Sequence, residues 1–145
     1  MRTADLLSQR WLEAQQAFGL APGDIELTWD IGPYPHFKDR RGYAVTFPCT
    51  ANHCHVRLSS KMIDAPVHRV DGVIRHEIGH VLDLTIPAAH MDRWAFSRGV
   101  ALPQTPERRA DAIAHAVWNS PIAYDRDMVQ TTGRGTCPRP VHLGL

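Results

Sequence analysis

Two histidines and a glutamate carry the strongest chemical signal in this chain of 145 residues: His76-Glu77-Ile78-Gly79-His80. On a helix, residues four apart share one face, so the two imidazoles can reach a single metal ion while Glu77 stands beside a water on that ion. Such a site needs a third protein ligand if one coordination position is to stay open for water. Glu107 and Asp111 are also four apart, begin 27 residues after His80, and have Ala110 and Ala114 beside them, so their helix can approach the first closely. Glu107 can supply the third ligand, with His90 and His115 as rivals. Gly79 costs helix stability, about 1 kcal/mol against Ala, which implies that something packs tightly there.

The elements that must position these residues can be read from the pattern. Thr3, as N-cap, opens an amphipathic helix with Leu7, Trp11, Ala14 and Phe18 at helical spacing, closed by Gly19 and Pro22. Ile25 to Trp29 alternates as a strand does, and Lys38 to Gly42 makes a charged loop. Tyr43 to Phe47 and His55 to Ser59 are two further strands, joined closely enough for an antiparallel hairpin. Helices are expected over Val67 to Leu84, which carries the paired histidines, over Met91 to Arg98, and from Thr105-Pro106 to about Asn119. Beyond Tyr124 the periodicity stops, and about 125–145 reads as an irregular tail of one single domain, 1–145. The fold class is α+β, with a small mixed or antiparallel sheet packed on helices.

Composition narrows the function classes. Sixteen Lys and Arg against fifteen Asp and Glu, scattered along the chain, argue against nucleic acid as a partner. No run approaches the roughly 18 apolar residues of a membrane span, and Asp5, Arg10 and Glu13 interrupt the N-terminal segment. The expectation is a cytoplasmic chain without membrane contact. Three cysteines, Cys49, Cys54 and Cys137, are then expected as reduced thiols. The alternatives are a disulfide within Cys49 and Cys54 or from Cys137 to the hairpin, or a structural metal site using all three with His142.

His76, Glu77 and His80 with the downstream Glu107-Arg108-Arg109-Ala110-Asp111 resemble the gluzincin zinc metallopeptidases, which pair H-E-x-x-H with E-x-x-x-D. The short length and the form of residues 107 to 114 look most like the small minigluzincin and ImmA/IrrE-type peptidases. The resemblance implies a zincin-like fold and one Zn2+ per chain held by His76, His80 and Glu107. It also implies Glu77 as general base and Asp111 as the carboxylate that orients His76. Metzincins would need Gly and His where Asp83 and Ile86 stand, and deformylase companion motifs around Cys49 or Cys54 are absent. The implied activity is hydrolysis of a peptide or protein substrate, as an endopeptidase rather than an exopeptidase. Tyr124, His115 or Tyr43 would stabilise the transition state, and His55 to Ser59 would be the strand along which substrate lies. The alternative is a non-catalytic binding or regulatory protein in which the same metal only staples the fold.

Overall fold

The computed structural model describes residues 3–33 and 43–119. Within them lie helix α1 (Thr3–Phe18), strands β1 (Glu26–Ile31), β2 (Ala44–Thr46) and β3 (His53–Leu58), a 3-10 turn at Ser60–Met62, and helices α2 (Val67–Thr85), α3 (Ala88–Ser97) and α4 (Pro106–Trp118). Thr3 is the first residue of α1 rather than its cap. α3 starts three residues earlier than its apolar spacing suggests, because Pro87 both ends the preceding chain and serves as its N-cap. The expected charged loop falls at residues 34–42, and Tyr124 with the irregular tail falls beyond 119; both lie outside the described residues.

The sheet is mixed and of order β1-β3-β2. β2 and β3 form the expected antiparallel pair, whereas β1 runs parallel to β3, from Glu26 opposite His53 to Ile31 opposite Leu58. β3 is therefore the middle strand, with its backbone groups committed on both sides. This corrects the expectation that residues 55 to 59 form a substrate edge, since a peptide cannot add to a strand already paired twice. Among the described residues, the open edge beside α2 belongs to β2.

Alternation along β3 decides the two faces of the sheet. Cys54, Val56 and Leu58 are buried toward the helices, and His53, His55 and Arg57 point the other way. Val56 and Leu58 join Met62, Val73 and Val81 in one apolar cluster, while Leu6, Leu7, Ile74, Ile78, Leu82, Met91 and Ile113 form a second between α1, α2 and α4. Charged pairs then fix the helices around α2. Arg10 of α1 grips Asp71 at 2.8 and 3.0 Å. Arg109 of α4 reaches Asp83 of α2 at 3.0 Å and Asp92 of α3 at 3.0 Å.

Gly79 explains itself at the α2–α4 contact. A Cβ built there would lie 2.9 Å from the Ala110 carbonyl carbon and closer still to its oxygen, both rigid backbone atoms. Ala110 and Ala114, fully buried, keep the facing side of α4 equally thin.

The cysteines correct a further expectation: Cys49 and Cys54 form a disulfide across the β2–β3 hairpin. They are neither reduced thiols nor metal ligands, and a bond of this kind persists in oxidising surroundings rather than in a reducing cytoplasm. Cys137 and His142 lie outside the described residues. No helix among those described is long and apolar enough to cross a membrane.

Two outcomes test this description. Gly79→Ala should gain about 1 kcal/mol of helix propensity yet lose more through overpacking, which costs about 1–3 kcal/mol and more against backbone. The net result is a lower denaturation midpoint; an unchanged or raised midpoint contradicts the close contact. Thiol titration of unfolded protein should reveal two more thiols after reduction than before, and equal counts contradict the disulfide.

Candidate metal centre

His76, Glu77 and His80 all lie on the middle of α2, and Glu107 and Asp111 lie on the first half of α4. The helical repeat puts both imidazoles on the α4 side, their rings edge-on with centroids 4.7 Å apart. Glu107 reaches between them. Its Oε1 is 2.8 Å from His76 Nε2 and its Oε2 is 3.2 Å from His80 Nε2. The ligating atoms of His76, His80 and Glu107 all fall within 4.8 Å of one another, the one group of this kind among the described residues. Two imidazole nitrogens and one carboxylate oxygen, partly open to solvent at Glu107 with 51% of its side chain exposed, can hold a divalent ion and leave room for water.

Asp111 has a different position from Glu107. It is fully buried and accepts a hydrogen bond from His76 Nδ1, one helical turn deeper along α4. That bond fixes the ring orientation and leaves Nε2 as the nitrogen facing Glu107 and His80, the arrangement by which a carboxylate prepares a histidine for a metal. The longer side chain of Glu107 spans the gap that Asp111, pinned to Nδ1, does not.

The protonation of this cluster follows from its geometry. Burial disfavours a charged His76, but Asp111 and Glu107 outweigh it and hold its pKa well above the ordinary value. Burial likewise pushes Glu107 upward, and is overcome by hydrogen bonds from His76 and His80 that hold its carboxyl far below the usual range. Both ring nitrogens of His76 face a carboxylate oxygen, Nδ1 that of Asp111 and Nε2 that of Glu107, which favours the protonated ring. A metal must displace the proton on Nε2.

Glu77 is 3% exposed, one residue off the ligand face. Its Oε2 lies 4.0 Å from His76 Nε2, while its Oε1 accepts a 2.6 Å hydrogen bond from Thr46 Oγ1 of β2. Thr46 is the residue that sequence reasoning missed. It pairs with Val56 and so faces the helices, where its hydroxyl donates to the Glu77 carboxylate beside the cluster. Its only signal in the sequence is a polar residue on an otherwise apolar inward register.

The remaining candidates are placed elsewhere. The Tyr43 hydroxyl accepts from Arg69 Nη1 at 2.9 Å, two turns before His76 on α2, and its ring carries Lys61 4.5 Å from the centroid. His90 is exposed on α3, and His115 is half-buried on α4; neither belongs to the three-ligand group.

The pKa direction sets a testable pH dependence. A raised His76 pKa stabilises the ion-free fold below the unfolded value near 6.5, and that contribution is lost as pH climbs through the folded value. Metal binding needs the same nitrogen deprotonated. The drop in melting temperature caused by a chelator should therefore shrink as pH is lowered; an equal drop at every pH contradicts the histidine cluster.

Comparison of the chain with protein-family models, with curated proteins and with solved structures finds no match in any of the three.

Proposed function

We propose that this protein is a zinc-dependent metallopeptidase of the zincin-like, gluzincin type, with His76, His80 and Glu107 as ligands and Glu77 as general base. The observation that carries the reading is Glu77: a buried carboxylate beside a three-ligand group, with one oxygen tied to Thr46 and the other turned toward the ligand nitrogen of His76. A site that merely staples a fold has no use for such a group. The donor set is borderline in softness, which favours zinc over magnesium or calcium. Zinc bound there supplies a Lewis acid that polarises a carbonyl and acidifies a water.

The chain's own residues divide the remaining work. Glu77 takes the proton from the attacking water and returns it to the leaving amine. Thr46 keeps the other oxygen occupied, so the carboxylate stays aimed at the ligands. Asp111 holds His76 and offsets the charge that the ligands gather. Among the described residues no strand pairs with the outer edge of β2, which ends at Thr46, and an extended peptide substrate would lie along it. This strand takes the role expected of residues 55 to 59.

Substitution separates these roles. Glu77→Gln should retain one equivalent of zinc and the melting temperature of the loaded protein while losing hydrolysis of a peptide library by at least about a hundredfold. His76→Ala or His80→Ala should lose the metal as well. Thr46→Val should keep both metal and fold and slow turnover up to about tenfold, the value of one hydrogen bond. Hydrolysis by Glu77→Gln at the wild-type rate would remove the general-base assignment, and no hydrolysis by zinc-loaded wild type across the library would favour the non-catalytic alternative.

A further inference from the structure

On the sheet face opposite α2, the outward residues of β1 and β3 make a second cluster. The parallel register sets Glu26 beside His53, Thr28 beside His55 and Asp30 beside Arg57. His53 Nε2 lies 3.0 Å from Thr28 Oγ1, and His55 Nδ1 lies 2.8 Å from the same oxygen. Two imidazole nitrogens thus face one point from positions two apart on a strand. On the far side of the His55 ring, Nε2 is 3.1 Å from Asp30 Oδ1.

These distances assign the protons. Asp30 is held by two hydrogen bonds from Arg57, at 2.9 and 3.0 Å, which keep its carboxyl below the ordinary range and its oxygens as acceptors. His55 Nε2 must then be the N–H, which leaves Nδ1 with a lone pair aimed at Thr28 and His53. In that tautomer the Thr28 hydroxyl donates to the lone pair at 2.8 Å, with the Cys54 carbonyl a longer acceptor at 3.5 Å, and accepts from His53 Nε2–H. A carboxylate that fixes one imidazole nitrogen and turns the other, unprotonated, toward a second imidazole is the arrangement that prepares a metal ligand. The ring of Phe47, 5.7 Å from that of His55, restrains it from the other side.

We propose that His53 and His55 form a second divalent-metal site on the outer face of the sheet, for a borderline ion of the copper(II) or nickel(II) class. Imidazole nitrogen suits these ions, and two nitrogens with a neutral hydroxyl and water make the mixed N,O set they accept. Binding displaces the proton on His53 Nε2 and requires the two rings to close on a common point, with Thr28 Oγ1 beside the ion. Asp30 and Arg57 balance each other, and Glu26 beside His53 adds one negative charge that favours a cation. The ion would tie β1 to β3 on the face that the helices do not cover.

The test is a Ni2+ titration of zinc-treated full-length protein, followed by calorimetry and by paramagnetic broadening of histidine ring signals. One equivalent of Ni2+ should bind with broadening at His53 and His55. His53→Gln and His55→Gln, which keep a hydrogen-bonding side chain and leave the packed face intact, should each weaken this binding by more than tenfold. Asp30→Asn should weaken it about tenfold through His55. Absence of broadening at these two rings, or binding unchanged in both glutamine variants, overturns the site. His76 and His80 are intact in every arm, so the result stands apart from the peptidase reading.

Discussion

The site depends on how closely α4 can lie against α2. The candidate ligands come from both helices, and a carboxylate side chain is short, so Glu107 can bridge His76 and His80 only if the two backbones nearly touch. Gly79 permits that approach, and Ala110 and Ala114 match it from the other side. The same approach buries Asp111 against His76 Nδ1. A glycine in the middle of a helix is locally unfavourable, and here its cost is offset by contacts that no side chain at that position would allow. The arrangement is held laterally by Arg109, which links α4 to both α2 and α3.

Charge explains why this contact is more than packing. Two carboxylates and two imidazoles sit together at the centre of a small fold, with His76 and Asp111 fully buried. Asp111 and Glu107 favour a proton on His76 against the cost of burial, which is why its pKa is raised. A divalent ion held by the proposed ligands would do the same task with greater charge, and protons and metal would then compete for one nitrogen. The cluster could therefore exchange one for the other, and Glu77, kept beside it by Thr46, is the residue proposed as general base.

Much of this was legible in the sequence because it follows from the helical repeat. The spacing of His76 and His80, and of Glu107 and Asp111, places each pair on one face whatever the tertiary structure, and Gly79 in a helix called for a close neighbour. What was not legible depends on strand order. Nothing local says that β3 inserts between β1 and β2, so the strand expected at an edge lies in the middle. For the same reason Thr46, in a strand of three residues, could not be connected to Glu77, nor Thr28 to two histidines some 25 residues away. The Cys49–Cys54 disulfide stood only as an alternative to reduced thiols, because cysteine spacing does not determine pairing. The residue expected as third ligand rested on resemblance and on reach; Glu107 lies beside His76 Nε2 and His80 Nε2, while Asp111 is bonded to His76 Nδ1.

The central claim is that α2 and α4 together hold one ion through His76, His80 and Glu107. Zinc-edge X-ray absorption on the loaded protein addresses it directly. The account predicts a first shell of nitrogen and oxygen alone at about 2.0–2.2 Å, with the outer scattering of two imidazoles, lost in the His76→Ala His80→Ala double variant. A sulfur shell near 2.3 Å, or an unchanged spectrum in that variant, would place the metal elsewhere and contradict the account.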